Sequence, residues 1–501
     1  MKKLIWLLLV LPALAGQAQR SANPQTFAKS ITTEDLQKHL YIIAGADMEG
    51  RETATEGQRK AAAYIENEFR ALGLTPGNKN DYQMHFPVYL DSLQELFLSL
   101  NDTALVAGQD FSIDFAANHS AGFRFSEIVL AGYGLSNSTR DDYKGTDVKG
   151  KLVMVWPEGA TGNVPAGSHK EWSSFTQEMS AMEHGAAALL VIRKSITPAE
   201  VKSKMYVNLY QKTQRIPTFY ISEKQAEKII GEGYTSQKAA AQSGNYMPQT
   251  IAVNIALRFN KTTIALQSSN VLGILEGADM KDQHIVLTAH YDHLGKQNGT
   301  IWYGADDDGS GTVAILELAK AFTKAKAAGK GPRRSILFMT VSGEEKGLWG
   351  SDYYSAHPAL PLDKTSVNLN IDMIGRIDPS RKHGDSSNYI YIVGDDKVSS
   401  DLKPISEAVN KKYSKLELDY KYNDPKDPER IYYRSDHYNF AKKGVPVIFY
   451  FSGLHPDYHK PSDTPDKINY TLLQKRALLI FFTTWEMANR NDMLKRDIPL
   501  Q

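Results

Sequence analysis

From about residue 268 to the C-terminus, short apolar runs rich in β-branched residues alternate with longer segments whose apolar positions recur every three or four residues. HIVLTAH, SILFMTVSG, SVNLNIDMIG, YIYIVGD and GVPVIFYFSG are the short runs; TVAILELAKAFTKAKAAG, SSDLKPISEAVNKKY and NYTLLQKRALLIFFTTWEMANR are the longer ones. The first kind predicts buried strands and the second amphipathic helices. Their alternation predicts an α/β fold with a mixed, mainly parallel sheet flanked by helices.

Upstream, EDLQKHLYIIAG and EGQRKAAAYIENEFRALGL have helical spacing, with Gly73 closing the second. Between about residues 96 and 263 the texture changes to short β-like runs (SEIVLAGYG, GKLVMVW, AALLVIRKS, IPTFYIS) and one helix-like segment, EWSSFTQEMSAMEHG. This stretch contains no cluster of histidines and acids, and it reads as a β-rich inserted domain. The expected division is therefore 1–18, 19–95, 96–263 and 264–495, with the second and fourth pieces forming one domain.

The first 18 residues, MKKLIWLLLVLPALAGQA, combine two lysines, an apolar stretch and small residues at Gly16 and Ala18. That is the pattern of a cleaved signal peptide, and the apolar stretch falls short of the roughly 20 residues a membrane span needs. An exported protein, periplasmic or secreted and without a stable membrane span after cleavage, is expected. Its 501 residues, 42% hydrophobic and 23% charged, suffice for a large core and more than one domain. A formal net charge of +1 gives no field for nucleic acid. The absence of cysteine excludes disulfides, thiolate ligands and a cysteine nucleophile, so any metal must be held by imidazole and carboxylate.

In open α/β sheets, sites form beyond the carboxyl ends of the strands. There HIVLTA runs into His290, SILFMTVSG into Glu344 and Glu345, SVNLNI into Asp372, and GVPVIFYFSG leads to His459; GADDDGSG, carrying Asp307, follows the first strand. Asp and Gly are ordinary turn formers, but five loops bringing an imidazole or carboxylate to one sheet edge point to one site. His293 and His437 could be ligands, but lone histidines are more often hydrogen-bonded structural groups, and these two are expected to be such. Imidazole with carboxylate and no sulfur suits zinc, cobalt or manganese. One zinc would need only three of these ligands; two histidines and three carboxylates are enough for two metals sharing one carboxylate.

In this order HYD, GADDDGSG, EEKGLWGS, NIDMIG and YHKPSDT resemble the motifs of the M28 zinc peptidases, over roughly residues 268 to the last helix. FSEIVLAGYGL, DDYKGTDVKGKLVMVW and MEHGAAALLVIRK make the insert similar to a protease-associated domain. The resemblance implies a dinuclear zinc aminopeptidase that hydrolyses the N-terminal peptide bond of peptides, with two zinc ions per chain. It makes Asp307 the bridging carboxylate, His290 and Asp372 the ligands of one zinc, and Glu345 and His459 those of the other. Glu344 becomes the general base on a zinc-bridging water, Asp292 the carboxylate that orients His290, and Tyr458 a donor to the developing oxyanion. It also implies a cis peptide bond between Asp307 and Asp308, and Asp308 stands where many relatives have Asn.

Asp306 becomes the bridging residue if the register shifts by one. A carboxypeptidase or dipeptidase of the same fold would need a basic pocket, for which Arg434 and Arg376 are candidates. A glutaminyl cyclase, with one zinc, or a receptor-like ectodomain without metals would not need both ligand sets.

Overall fold

The computed structural model describes residues 23–113, 120–137, 140–157, 174–198, 200–208, 215–242 and 246–499, so the expected signal peptide lies outside the described residues. The chain divides into one unit made of Met1–Phe86 with Gln267–Gln501, and a second made of Pro87–Leu266.

The first unit is built on five strands that fall on the five short apolar runs: β1 (Met280–His290), β2 (Arg334–Val341), β3 (Thr365–Ile371), β4 (Tyr389–Val393) and β5 (Val447–Phe451). Their order across the sheet is β4, β5, β3, β1, β2, extended beyond β4 by Glu417–Asp419 and beyond β2 by the end of the strand Gln249–Leu275. β1 pairs parallel with β2 and β3, and β3 parallel with β5; β4 runs antiparallel to β5, and residues 271–275 antiparallel to β2. Four adjacent strands, β5, β3, β1 and β2, thus send their carboxyl ends to the same edge. The pairs Thr288 with Asn370 and His290 with Val341 set how far each chain projects there.

Both sheet faces are covered. Ile285, Leu287 and Ala289 of β1 pack in one cluster with α1 (Thr33–Ile43), α2 (Glu56–Ala71), α3 (Gly311–Ala327) and α5 (Tyr470–Asn489), while Val286 points the other way into a cluster with Tyr354 and Phe440. This opposite-face alternation is what a strand buried on both sides must show, and it explains why β1 reads as continuously apolar. α4 (Leu402–Tyr413) packs against α5. At helix starts, the Thr32 side chain accepts from the Asp35 N–H and the Asn469 side chain from the Leu472 N–H, satisfying donors the first turn leaves free.

The second unit has four parallel strands, Ala121–Leu130, Leu152–Val155, Ala188–Arg193 and Thr218–Ser222, paired in that order. Antiparallel partners close each end, Phe111–Ile113 on one and the first part of Gln249–Leu275 on the other. Helices Ser174–Glu183, Glu223–Ile230 and Tyr234–Gln242 accompany them, the last two absent from the sequence-based expectation. Among the described residues no helix is long and apolar enough to cross a membrane.

Candidate metal centre

His290 is the last residue of β1, and Asp372 follows the last residue of β3 directly. Glu344 and Glu345 stand just beyond β2, and the turn 304–310 between β1 and α3 carries Asp306, Asp307 and Asp308, all buried. The peptide bond between Asp307 and Asp308 is cis.

Asp307 is the centre of the arrangement. Its Oδ1 lies 3.1 Å from His290 Nε2, while its Oδ2 lies 3.1 Å from His459 Nε2 and 3.8 Å from His293 Nδ1. On the first side Asp372 Oδ1 is 3.6 Å and Glu344 Oε2 3.8 Å from His290 Nε2. On the second, Glu345 reaches His459 Nε2 at 3.1 Å and His293 Nδ1 at 2.7 Å. The structure therefore brings together His290, Asp307, Glu344, Glu345, Asp372 and His459, and adds His293.

The electrostatics of this cluster favour a cation. Despite burial, His290 is held well above its ordinary value by Glu344, Asp372 and Asp307, and His459 is likewise raised to about 10 by Asp307 and Glu345. Burial and the Asp307 charge push Glu345 up, but His293 and His459 outweigh them and hold it below its usual value. Burial, with the charges of Glu345 and Asp372, raises Glu344 well above the carboxylate range. Carboxylates so crowded create a potential that dications relieve. The fit to metal is also visible in unmet bonding capacity: His290 Nε2, Asp307 Oδ2, Glu345 Oε1 and Asp372 Oδ1 are all buried and without a hydrogen bond among the described residues. Such atoms are costly unless something fills them.

Asp308 belongs geometrically with His290 and Asp372, but its oxygens are already engaged. The carboxylate accepts the N–H groups of His290 at 3.2 Å, Gly311 at 2.8 Å and Met373 at 3.1 Å, so it ties three segments together rather than offering a ligand. Asp306 is held by the Gly375 N–H at 2.6 Å and faces His455 at 3.4 Å, on a different side from the donor groups.

Asp292 meets His290 first through its main chain. The nearer partner of His290 Nδ1 is the main-chain oxygen of Asp292, at 3.1 Å, with the carboxylate at 3.8 Å. That carboxylate instead accepts from Thr53 Oγ1 at 2.8 Å and from the N–H of Glu344 at 3.2 Å, so it anchors the start of the Glu344 loop. Tyr458 stacks on His459 and its hydroxyl accepts from Arg434 at 3.1 Å. Burial and the Asp307 charge keep that hydroxyl protonated. Asp307, Glu344, Asp372, Arg434 and Tyr458 form the polar end of one cavity, whose remaining wall is Met373, Ile431, Phe449, Phe451 and Leu454.

Sequence reading missed several supports. Arg51 has no exposed surface and donates to the main-chain oxygens of Ile43, Tyr291, Tyr303 and Gly304, clamping the two loops on either side of the site. Asp463 accepts the N–H groups of Asp306 and Asp307, at 3.0 and 3.2 Å. Ser435 donates to Asp372 at 2.7 Å. Arg51 sits in MEGRET, where nothing in hydropathy marks it, whereas Asp463 lies inside the YHKPSDT motif and was available to it. His437, expected to be hydrogen-bonded, packs its ring on Phe449, and His293, expected to be structural, stands in the site.

Imidazoles and carboxylates converging at the carboxyl edge of a mainly parallel sheet, with a carboxyl poised beside them, define the centre of a metal-dependent hydrolase. Residues 270–484 match the model of Peptidase family M28. The chain is 24% identical over 511 aligned residues to Aminopeptidase YwaD of Bacillus subtilis, covering 98% of this chain and 95% of that protein. Two solved structures share the fold. An aminopeptidase from Aneurinibacillus sp. strain AM-1 has a TM-score of 0.54 and 19% identity, covering 95% of this chain and 99% of that one. The zinc aminopeptidase BSAP from Bacillus subtilis has a TM-score of 0.50 and 20% identity, covering 94% and 99%.

Proposed function

We propose that the chain is an exported aminopeptidase that works with two zinc ions and removes the N-terminal residue of peptides. The observation that carries this reading is the division of labour on Asp307, whose two oxygens face two separate donor groups, His290 with Asp372 and His459 with Glu345. One carboxylate shared by two such groups is the donor set of a paired-metal site. The names aminopeptidase and zinc aminopeptidase borne by the relatives accord with it.

Two zinc ions bound there would acidify a water and polarise the scissile carbonyl. Glu344, made a stronger base by burial, takes the proton of the attacking water and returns it to the leaving amine. Tyr458, kept protonated, donates to the oxygen on which charge develops. Asp292 holds the backbone of Glu344 so that its side chain meets that water. The apolar wall of Met373, Ile431, Phe449, Phe451 and Leu454 receives the side chain of the residue to be removed, which favours apolar residues. Of the two arginines that would serve a carboxypeptidase, Arg376 is paired with Asp457 at 2.9 Å, and Arg434 is bound to Tyr458. Export rests on the N-terminal lysines and apolar stretch, and the unit Pro87–Leu266 is read as a protease-associated domain.

The test is a panel of free-amine, N-blocked and C-blocked peptides assayed with added zinc. Cleavage of the free-amine and C-blocked peptides with the N-blocked ones untouched is the expected result. Turnover of N-blocked peptides that requires a free carboxylate would overturn it in favour of a carboxypeptidase.

A further inference from the structure

His293 is not one of the five ligands that the family motifs supply, yet it occupies a ligand's position. The residue has no exposed surface. Its Nδ1 lies 2.7 Å from Glu345 Oε1 and 3.8 Å from Asp307 Oδ2, and its ring meets that of His459 edge to face at 5.9 Å. The contact with Glu345 is an ion pair, and neither ring nitrogen has a hydrogen bond among the described residues. A buried imidazole without hydrogen bonds normally finds water or an ion. The ring is also fixed from behind: a Cβ on Gly304, which sits at φ +54°, would come within 2.4 Å of His293 Cγ.

Donor atoms around a tetrahedral zinc with bonds of about 2.0–2.2 Å lie roughly 3.3–3.6 Å from one another. The contacts of His293 and His459 with Glu345 and Asp307 run 2.7, 3.8, 3.1 and 3.1 Å, scattered about that separation. His293, Asp307 and Glu345 can place one donor atom each within 4.8 Å of one another.

We propose that His293 Nδ1 is a fourth protein ligand of the metal held by Asp307, Glu345 and His459. The inference rests on the paired-zinc reading, and it makes the two positions unequal. A zinc with four protein donors has the closed coordination of structural sites, whereas His290, Asp372 and Asp307 give the other only three and leave it an open position. The closed site should bind first and release last, and water and substrate should meet the open one.

The experiment uses the full chain, stripped with chelator and given one equivalent of zinc. X-ray absorption at the zinc edge should then count two imidazoles, from His293 and His459; one imidazole would overturn the inference, and this measurement needs no variant. In parallel, competition with a chromophoric chelator should show His293→Ala losing more than about 100-fold in affinity for the first equivalent, beyond the 10–100-fold that an outer-sphere partner costs. Unchanged affinity would also overturn it. Failure of the parent chain to take up a second equivalent would instead sink the paired-zinc reading, and would leave the imidazole count standing on its own.

Discussion

Replacing Arg51 by methionine tests whether the loops of the site are held from beneath. The guanidinium donates four hydrogen bonds, at 2.7 to 2.9 Å, to main-chain oxygens of residues 43, 291, 303 and 304. Bonds from a charged donor contribute about 1.5–3 kcal/mol each, so the four together stabilise by roughly 6–12 kcal/mol. Against this, burial lowers the guanidinium from 12.5 to about 10, a cost of about 3 kcal/mol that the methionine variant is spared. The net loss is at least about 3 kcal/mol, which in a large domain means a fall of roughly 5 °C or more in unfolding midpoint. Because Tyr291 lies between His290 and Asp292 and Gly304 opens the aspartate turn, zinc affinity should fall with it. Calorimetry and zinc titration read the two effects, and Arg51→Lys, which keeps the charge but not the planar fork, should fall between parent and Met variant. A midpoint within about 1 °C of the parent, with unchanged zinc affinity, would refute the reasoning.

Glu344→Gln should retain metal content while kcat falls by about 10²–10⁴-fold, as for a lost general base; Glu345→Gln should lose metal first and recover part of its activity with added zinc, and exchanged behaviours would reverse the two roles. Tyr458→Phe should lower kcat by about 10²-fold or more with little change in KM, the signature of a lost oxyanion donor; an unaltered kcat would remove Tyr458 from the reaction. Asp395, buried and hydrogen-bonded to Asn423, is pushed up to about 7 by burial. Its folded value exceeds the ordinary one, so its stabilising contribution is complete below about pH 4 and is lost as pH rises through about 7. The stability advantage of Asp395→Asn over the parent should therefore grow across that window in urea unfolding, and an advantage that shrinks with pH would contradict it.

What could be read in advance follows from how local each signal is. The runs that became β1 to β5 are apolar on both faces, so hydropathy alone marks them, and the donors of the M28 motifs sit at or just beyond the ends of those runs. The role of Asp308 is not legible in the sequence, because its partners, the N–H groups of His290 and Met373, come from other segments. Arg51 escaped for the same reason: its four acceptors are carbonyl oxygens, which carry no residue identity. His293 was read by the ordinary fate of histidine, and only the fold shows that Glu345 and His459 surround it. The long strand Gln249–Leu275 escaped because its exposed middle, RFNKTTIALQ, shows no sustained apolar run.

The triple grip of Asp308 on the N–H groups of His290, Gly311 and Met373 has a consequence for how descendants of such a chain can diverge. Catalytic geometry is inherited from the register of β1 and β3, not from the lengths of the segments between them. A lineage can therefore vary those parts of the connections after Asp372 that carry neither a ligand nor a residue holding one without retuning the chemistry. Ile431 comes from one such part and forms part of the cavity wall. Changes there alter which peptides are accepted while the reaction stays the same, so diet can evolve faster than mechanism.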